Sequence, residues 1–208
     1  DWTAAESQVR FSEIYDGETY DASFVTSESQ PVTEFDGRYD YLIPQQGEEI
    51  REIEKIIPLS VFTAPNGETV IDFGQEVTGY ISFEVEAKAG DVIEISHGEV
   101  LDKEGNFYNA NYRAAKSKIY YTCKDGKQTY KPKMTFFGFR YIRLDQFPGE
   151  PKAEQFVAIA VNSDMKRTGY IKTSDPMLNQ LFSNVIWGQK GNFLDVPTDC
   201  PQRDERMG

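Results

Sequence analysis

The chain has 208 residues, 39% hydrophobic and 13% aromatic, enough apolar content to build a packed core and too much for a disordered tail. Its 34 acidic residues against 22 basic ones give a formal net charge of -12 and a pI of about 4.6, a balance that repels phosphate backbones and argues against nucleic acid as a partner. The two cysteines, Cys123 and Cys200, are too few for a disulfide framework and read as free thiols, and the lone histidine, His97, would have to serve in any His-based metal site or nucleophilic triad.

Residues 9–20 place β-formers around the turn Asp16-Gly17. Gln30-Pro31 and residues 45–49 read as loops, and 50–57, which mixes isoleucine with charge, is expected to start a new sheet. Pro65-Asn66-Gly67 is a turn, since glycine tolerates positive φ. Strands follow at 69–74 and 80–86. In the second, Ile81, Phe83 and Val85 share one face while Ser82, Glu84 and Glu86 share the other. Ala89-Gly90-Asp91 turns into a strand at 92–97, and residues 102–106 turn again. A strand at 118–122 precedes Asp125-Gly126, a hairpin signal leading into 128–130. Strands at 136–144 and 153–161 complete the set. Many short strands spaced by turns predict a mainly-β fold, an antiparallel β-sandwich or barrel and not a set of βαβ units. No apolar run approaches bilayer length, so no membrane partner is expected.

The pattern changes after Thr173. Ser174 or Asp175 can cap a helix with Pro176 in its first turn, and Leu178, Leu181, Phe182, Val185 and Ile186 then recur at helical spacing. The switch from strand to helix predicts a domain boundary around 166–173. Phe193-Leu194 and Val196-Pro197 follow, and Pro197 and Pro201 keep the neighbourhood of Asp199 out of a regular helix. The chain opens Asp1-Trp2-Thr3 and closes Met207-Gly208 without a stopping element, and it is expected to be a piece of a longer protein.

The closing run Asp199-Cys200-Pro201-Gln202-Arg203-Asp204-Glu205-Arg206 sets three carboxylates among two guanidiniums. A solvated charge run is the bland reading. Against it stand the preceding apolar helix, the Pro and Cys inside the run, and the alternation with Arg, which holds carboxylates in bidentate geometry. Carboxylates without a local histidine suit glycoside hydrolysis, which needs one protonated acid and one ionised base on opposite sides of the scissile bond. Asp204 beside Glu205 would favour the protonated form of the Glu by like-charge repulsion, and Arg203 and Arg206 would act the opposite way.

Residues 199–208, Asp-Cys-Pro-Gln-Arg-Asp-Glu-Arg-Met-Gly, resemble the signature of bacterial α-L-rhamnosidases, glycoside hydrolase family 78. Residues 10–21 resemble the end of that family's N-terminal domain, 72–80 the opening of its concanavalin-like domain, and 136–141 a later strand of that domain. The resemblance implies an organisation of β-sandwich (concanavalin-like, jelly-roll) modules followed by an (α/α)6 catalytic barrel. On this chain that means the end of an N-terminal β-domain over 1–57, a concanavalin-like β-sandwich over 58–165, and the beginning of the barrel over 166–208, with the helix at 176–187 as its first. It also implies an inverting glycosidase that releases terminal α-L-rhamnose, with Glu205 as general acid and Asp199, Arg203 and Asp204 holding the sugar. The family's motif continues Trp-Thr-Gly-Asp, and its general base is a Glu several hundred residues further on. A 208-residue piece without that base and barrel is therefore expected to be inactive by itself. The implied partners are a rhamnose-containing oligosaccharide or glycoside and the catalytic barrel of the same chain. No cofactor or metal is implied, and the family's usual habitat implies a periplasmic or secreted protein.

Other readings compete. A carbohydrate-binding module would bind glycans alone, and a scaffold would pack against the barrel. The scaffold is favoured, because no exposed aromatic platform stands out. The aromatics of 136–141 read as sandwich core, Trp187 reads as core, and His97 reads as a strand-end residue and not half of a metal site. Asp72, Glu76 and Glu99 form a weak calcium candidate without EF-hand spacing.

Overall fold

The computed structural model describes residues 2–203 and 205. Its ten main strands are β1 (Val9–Glu13), β2 (Gly17–Asp21), β3 (Ile50–Ile56), β4 (Ser60–Thr63), β5 (Thr69–Ala87), β6 (Val92–Gly98), β7 (Lys118–Thr122), β8 (Gly126–Tyr130), β9 (Phe137–Gln146) and β10 (Phe156–Ser163). They form one curled sheet in the order β1-β2-β7-β6-β9-β5-β10-β3, with β4 and β8 also hydrogen-bonded to β5. The two strands expected at 69–74 and 80–86 are one, the 19-residue β5. Its first residues pair with β4 and β9, its middle with β9 and β10, and its end with β8.

Alternation builds the core. Ile81, Phe83 and Val85 are at most 2% exposed, whereas Glu84 and Glu86 on the opposite face of β5 are exposed. Ile93, Ile95, Ile119, Tyr121, Phe137, Phe139 and Phe156 pack into the same cluster. Each such buried side chain contributes about 1.5–3 kcal/mol of transfer free energy. Phe137, Phe139 and Tyr141 are thus core residues, as their alternation predicted.

A large bulge interrupts the β5–β9 ladder. Phe139 pairs with Val77 and Tyr141 with Asp72, so four residues of β5 stand opposite Arg140 alone. Gly74, at φ +71, supplies the left-handed backbone this needs. Both Asp72 carboxylate oxygens accept 2.9 Å bonds from the Arg140 guanidinium, and the Gly74 amide adds a 2.6 Å bond.

Several local expectations change. Gln30–Pro31, read as loop, is a two-residue strand paired with Thr3–Ala4. Strands β1, β2 and β3 lie within 1–57 yet join the same sheet as 58–165, β2 running parallel to β7 and β3 antiparallel to β10. Asp125-Gly126 turns the chain but makes no hairpin, because β7 pairs with β2 and β6 while β8 joins β5. Gln128 closes that turn with its side chain, accepting from the Lys124 amide and donating to the Lys124 and Gly126 carbonyls.

The helix α1 (Pro176–Gly191) is capped as read: the Asp175 carboxylate accepts from the Met177 amide at 2.8 Å, and Pro176 holds the first position. It runs past residue 187 to Gly191. Trp187 packs partly against the sheet core, while Met177, Leu178, Leu181 and Val185 on α1 are each more than half exposed. Among the described residues no helix is long and apolar enough to cross a membrane.

Candidate functional site

The sheet holds the closing segment along its length. Thr78 of β5 donates a 2.8 Å bond to the Gly191 carbonyl at the end of α1. The chain then doubles back, Phe193–Leu194 pairing with Val196–Pro197 around Asp195, whose amide donates to the Ser163 hydroxyl at 2.9 Å. Leu194 is 7% exposed and packs with Ile159 and Val161. Pro201 and Gln202 next cross β9 at Gly138. A Cβ at Gly138 would stand 2.9 Å from the Gln202 nitrogen and 3.0 Å from the Pro201 carbonyl carbon, so only a glycine admits this approach. The Ser117 hydroxyl donates to the Gln202 carbonyl at 3.3 Å.

Three of the four predicted residues come together there. Arg203 is central: its Nη2 lies 3.4 Å from Asp199 Oδ2 and 3.0 Å from Glu205 Oε2, while its Nε faces Cys200 Sγ at 2.7 Å. The other Glu205 oxygen is ion-paired with Arg113. The predicted Asp204 lies outside the described residues. Asp199 and Glu205 are about half exposed, so the cluster is open on one side. Asp199, Cys200 and Glu205 each bring a potential ligand atom within 4.8 Å of the others. The Arg203 guanidinium already sits among these groups and supplies the positive charge a cation would bring, so the donor set does not require a metal. Cys123 and Cys200 are free thiols.

Two neighbouring carboxyl groups lie on the sheet side, and one of them, Glu99, reaches Gln202 and Arg203 of the segment. Glu99 accepts a 3.0 Å bond from Asn111. Burial raises its carboxyl above the usual range against the opposing pull of Asn111, Gln202 and Arg203. Burial, and then Glu99 beside it, push Glu76 up to about 9 despite Arg140. Glu76 therefore keeps its proton at neutral pH. Asp72 is different: burial opposes its ionisation, yet Arg140 and the Gly74 amide hold its carboxyl below the usual range. Asp72, Glu76 and Glu99 do not converge as a ligand set, and Arg140 already occupies Asp72, which corrects the calcium expectation. His97 is fully buried, its ring stacked on Phe137 at 3.8 Å between centroids with Nδ1 2.7 Å from the Ser117 carbonyl. It belongs to the core.

Sequence reasoning missed Arg113, Ser117 and Gly138. The first two lie in an irregular connection with no motif of its own. Gly138 sits inside an aromatic run and has no side chain to mark it.

Comparison with known proteins shows what the chain is similar to. Residues 62–162 match the model of the bacterial alpha-L-rhamnosidase concanavalin-like domain, and residues 166–208 that of the bacterial alpha-L-rhamnosidase 6 hairpin glycosidase domain. Together they account for more than two thirds of the chain. An alpha-L-rhamnosidase of Streptomyces avermitilis is 37% identical over all of this chain, which spans 21% of that protein. The crystal structure of the Streptomyces avermitilis enzyme complexed with L-rhamnose superposes with a TM-score of 0.90 at 35% identity, over 99% of this chain and 21% of that one. The native Aspergillus terreus enzyme gives 0.89 at 34% identity, over 96% and 25%. The chain thus spans between a fifth and a quarter of the length of these relatives.

Proposed function

Since the chain belongs to the bacterial α-L-rhamnosidase family, we propose that it forms part of an inverting glycoside hydrolase that releases terminal α-L-rhamnose from glycans or rhamnosides. In this reading Glu205 protonates the leaving oxygen, Asp199, Arg203 and Asp204 hold the sugar, and a second carboxylate outside these 208 residues activates water. Inversion needs that second group roughly 6.5–9.5 Å from the first. Residues 166–208 begin the catalytic domain, and the sheet is the scaffold on which they rest.

The observation that carries the proposal is the gathering of Asp199, Arg203 and Glu205 into one ion-paired cluster open on one side. Glu205 is held at both oxygens, Oε1 by Arg113 and Oε2 by Arg203, which fixes the orientation of its carboxyl group. The apolar residues exposed on α1 support the scaffold reading over a free-standing binding module, because they present a face for further barrel helices.

The test is Glu205→Gln in the full-length protein, assayed on a rhamnosyl disaccharide, whose poor leaving group needs protonation. Turnover is expected to fall by about 10²–10⁴-fold, and unchanged turnover would remove Glu205 from the acid role. NMR of the first-formed anomer reads the stereochemistry. The 208-residue chain alone is expected to release no rhamnose from an aryl α-L-rhamnoside and to give a flat calorimetric titration with rhamnosyl oligosaccharides.

A further inference from the structure

The acid proposed above is gripped from two directions, and one grip comes from 92 residues upstream. Arg203 holds Glu205 Oε2 from within the closing segment, whereas Arg113 pairs with Oε1 from the connection between β6 and β7. That connection is built to hold its shape. It passes through a 3-10 turn at Ala110–Tyr112. The side chain of Tyr112 is 1% exposed, and its hydroxyl donates a 2.6 Å bond to the Gly138 carbonyl, at the glycine over which the closing segment crosses. Asn111 bonds Glu99 on the sheet side. At the far end Ser117 is fully buried, its amide donating to the Tyr15 carbonyl at 3.0 Å and its hydroxyl to Gln202.

Between these anchors Arg113 takes φ +59 and ψ -119, and Ser117 takes φ +49. Non-glycine residues held there cost of order 1–3 kcal/mol each and persist only when the surroundings over-determine them. Here the strain coincides with the residue that reaches the candidate acid. Relaxing Arg113 to an extended backbone would redirect its side chain away from residue 205.

We infer that Arg113 is a positioning residue for Glu205, by which the β-sheet region, and not the catalytic domain alone, fixes the orientation of the proton donor. The inference rests on the proposed role of Glu205. The charged and titratable groups facing that carboxylate among the described residues are Arg113 from the connection, with Arg203, Asp199 and Cys200 from its own segment. What the guanidinium supplies is direction, since its planar fork matches a carboxylate where an ammonium is only a point charge.

Leaving-group dependence tests this. A misaligned acid slows substrates whose leaving group must be protonated and spares those whose leaving group departs as an anion. The full-length Arg113→Ala protein is expected to lose about 10²-fold in kcat on a rhamnosyl disaccharide, the scale of a roughly 1 Å misplacement, with KM changed little. On 4-nitrophenyl α-L-rhamnoside it should lose no more than about threefold by the same reasoning. Arg113→Lys should recover part of the disaccharide activity. A folding defect would lower both substrates in step, and that outcome, or equal activity on both, would overturn the inference. Glu205→Gln run alongside separates the two claims. If it shows the selective loss and Arg113→Ala does not, only the positioning role fails. If Glu205→Gln itself spares the disaccharide, the acid assignment fails first.

Discussion

Gly138→Ala tests whether the closing segment rests on the sheet. The added Cβ would lie 2.9 Å from the Gln202 nitrogen and 3.0 Å from the Pro201 carbonyl carbon and ring. Ordinary contact begins near 3.4 Å, so one side must move by about half an ångström. The strand cannot readily yield: residue 138 pairs with Thr78 in β5, and its carbonyl accepts the buried Tyr112 hydroxyl. The segment can, because residues 199–203 are irregular and only partly covered. Overpacking that cannot relax costs about 1–3 kcal/mol, whereas lifting the segment should cost about 1 kcal/mol or less, a fall of roughly 2–4 °C in Tm for a chain of this size. Amide exchange by mass spectrometry should show faster exchange across 199–203 and unchanged protection in β5 and β9. Gly169→Ala, where a Cβ meets nothing within 4 Å, is the control. Loss of protection in β9 with 199–203 unaffected would refute the argument, since the strand would then be the side that gives.

Two further substitutions probe the fold. Phe83→Ala should cost about 3–5 kcal/mol in denaturant unfolding, because Phe83 is 1% exposed and its ring meets those of Tyr121, Tyr130 and Phe156. A loss under about 1 kcal/mol would mean that the core collapses around the gap. Glu76→Gln should stabilise the chain, and more so as pH rises. The folded state keeps the Glu76 proton up to about 9, whereas the unfolded chain releases it near the ordinary glutamate value of 4.5, so wild-type stability declines between those values. The difference in Tm between variant and wild type should therefore grow from pH 5 to pH 9. A difference that shrinks over that range would show that Glu76 is ionised in the fold.

Short-range signals were legible. The Asp175 cap with Pro176 announced α1, and the alternation of Ile81, Phe83 and Val85 announced a buried face, because both depend on neighbours within a few residues. Asp125-Gly126 shows where such reading stops: turn chemistry specified a reversal but not the partner strand, and β8 found its partner in β5. The parallel pairing of β2 with β7 joins residues about a hundred positions apart and leaves no local mark. The candidate site divides the same way. Asp199, Arg203 and Glu205 stand in one motif, and the folded chain brings them together. Arg113 was invisible because its nearness to Glu205 depends on closing a 92-residue span.

The joining of β1, β2 and β3 to the main sheet has a practical side. Trimming the chain to the residues that match the concanavalin-like model, 62–162, would delete β3 and bare the hydrogen-bonding edge of β10. It would also strip β2 from β7 and remove Glu18, which is 1% exposed and accepts the Tyr130 hydroxyl at 2.6 Å. Two open edges beside a Val- and Ile-rich sheet invite pairing between molecules. Such a truncation is expected to associate through those edges, which residues before 62 cover in the longer chain.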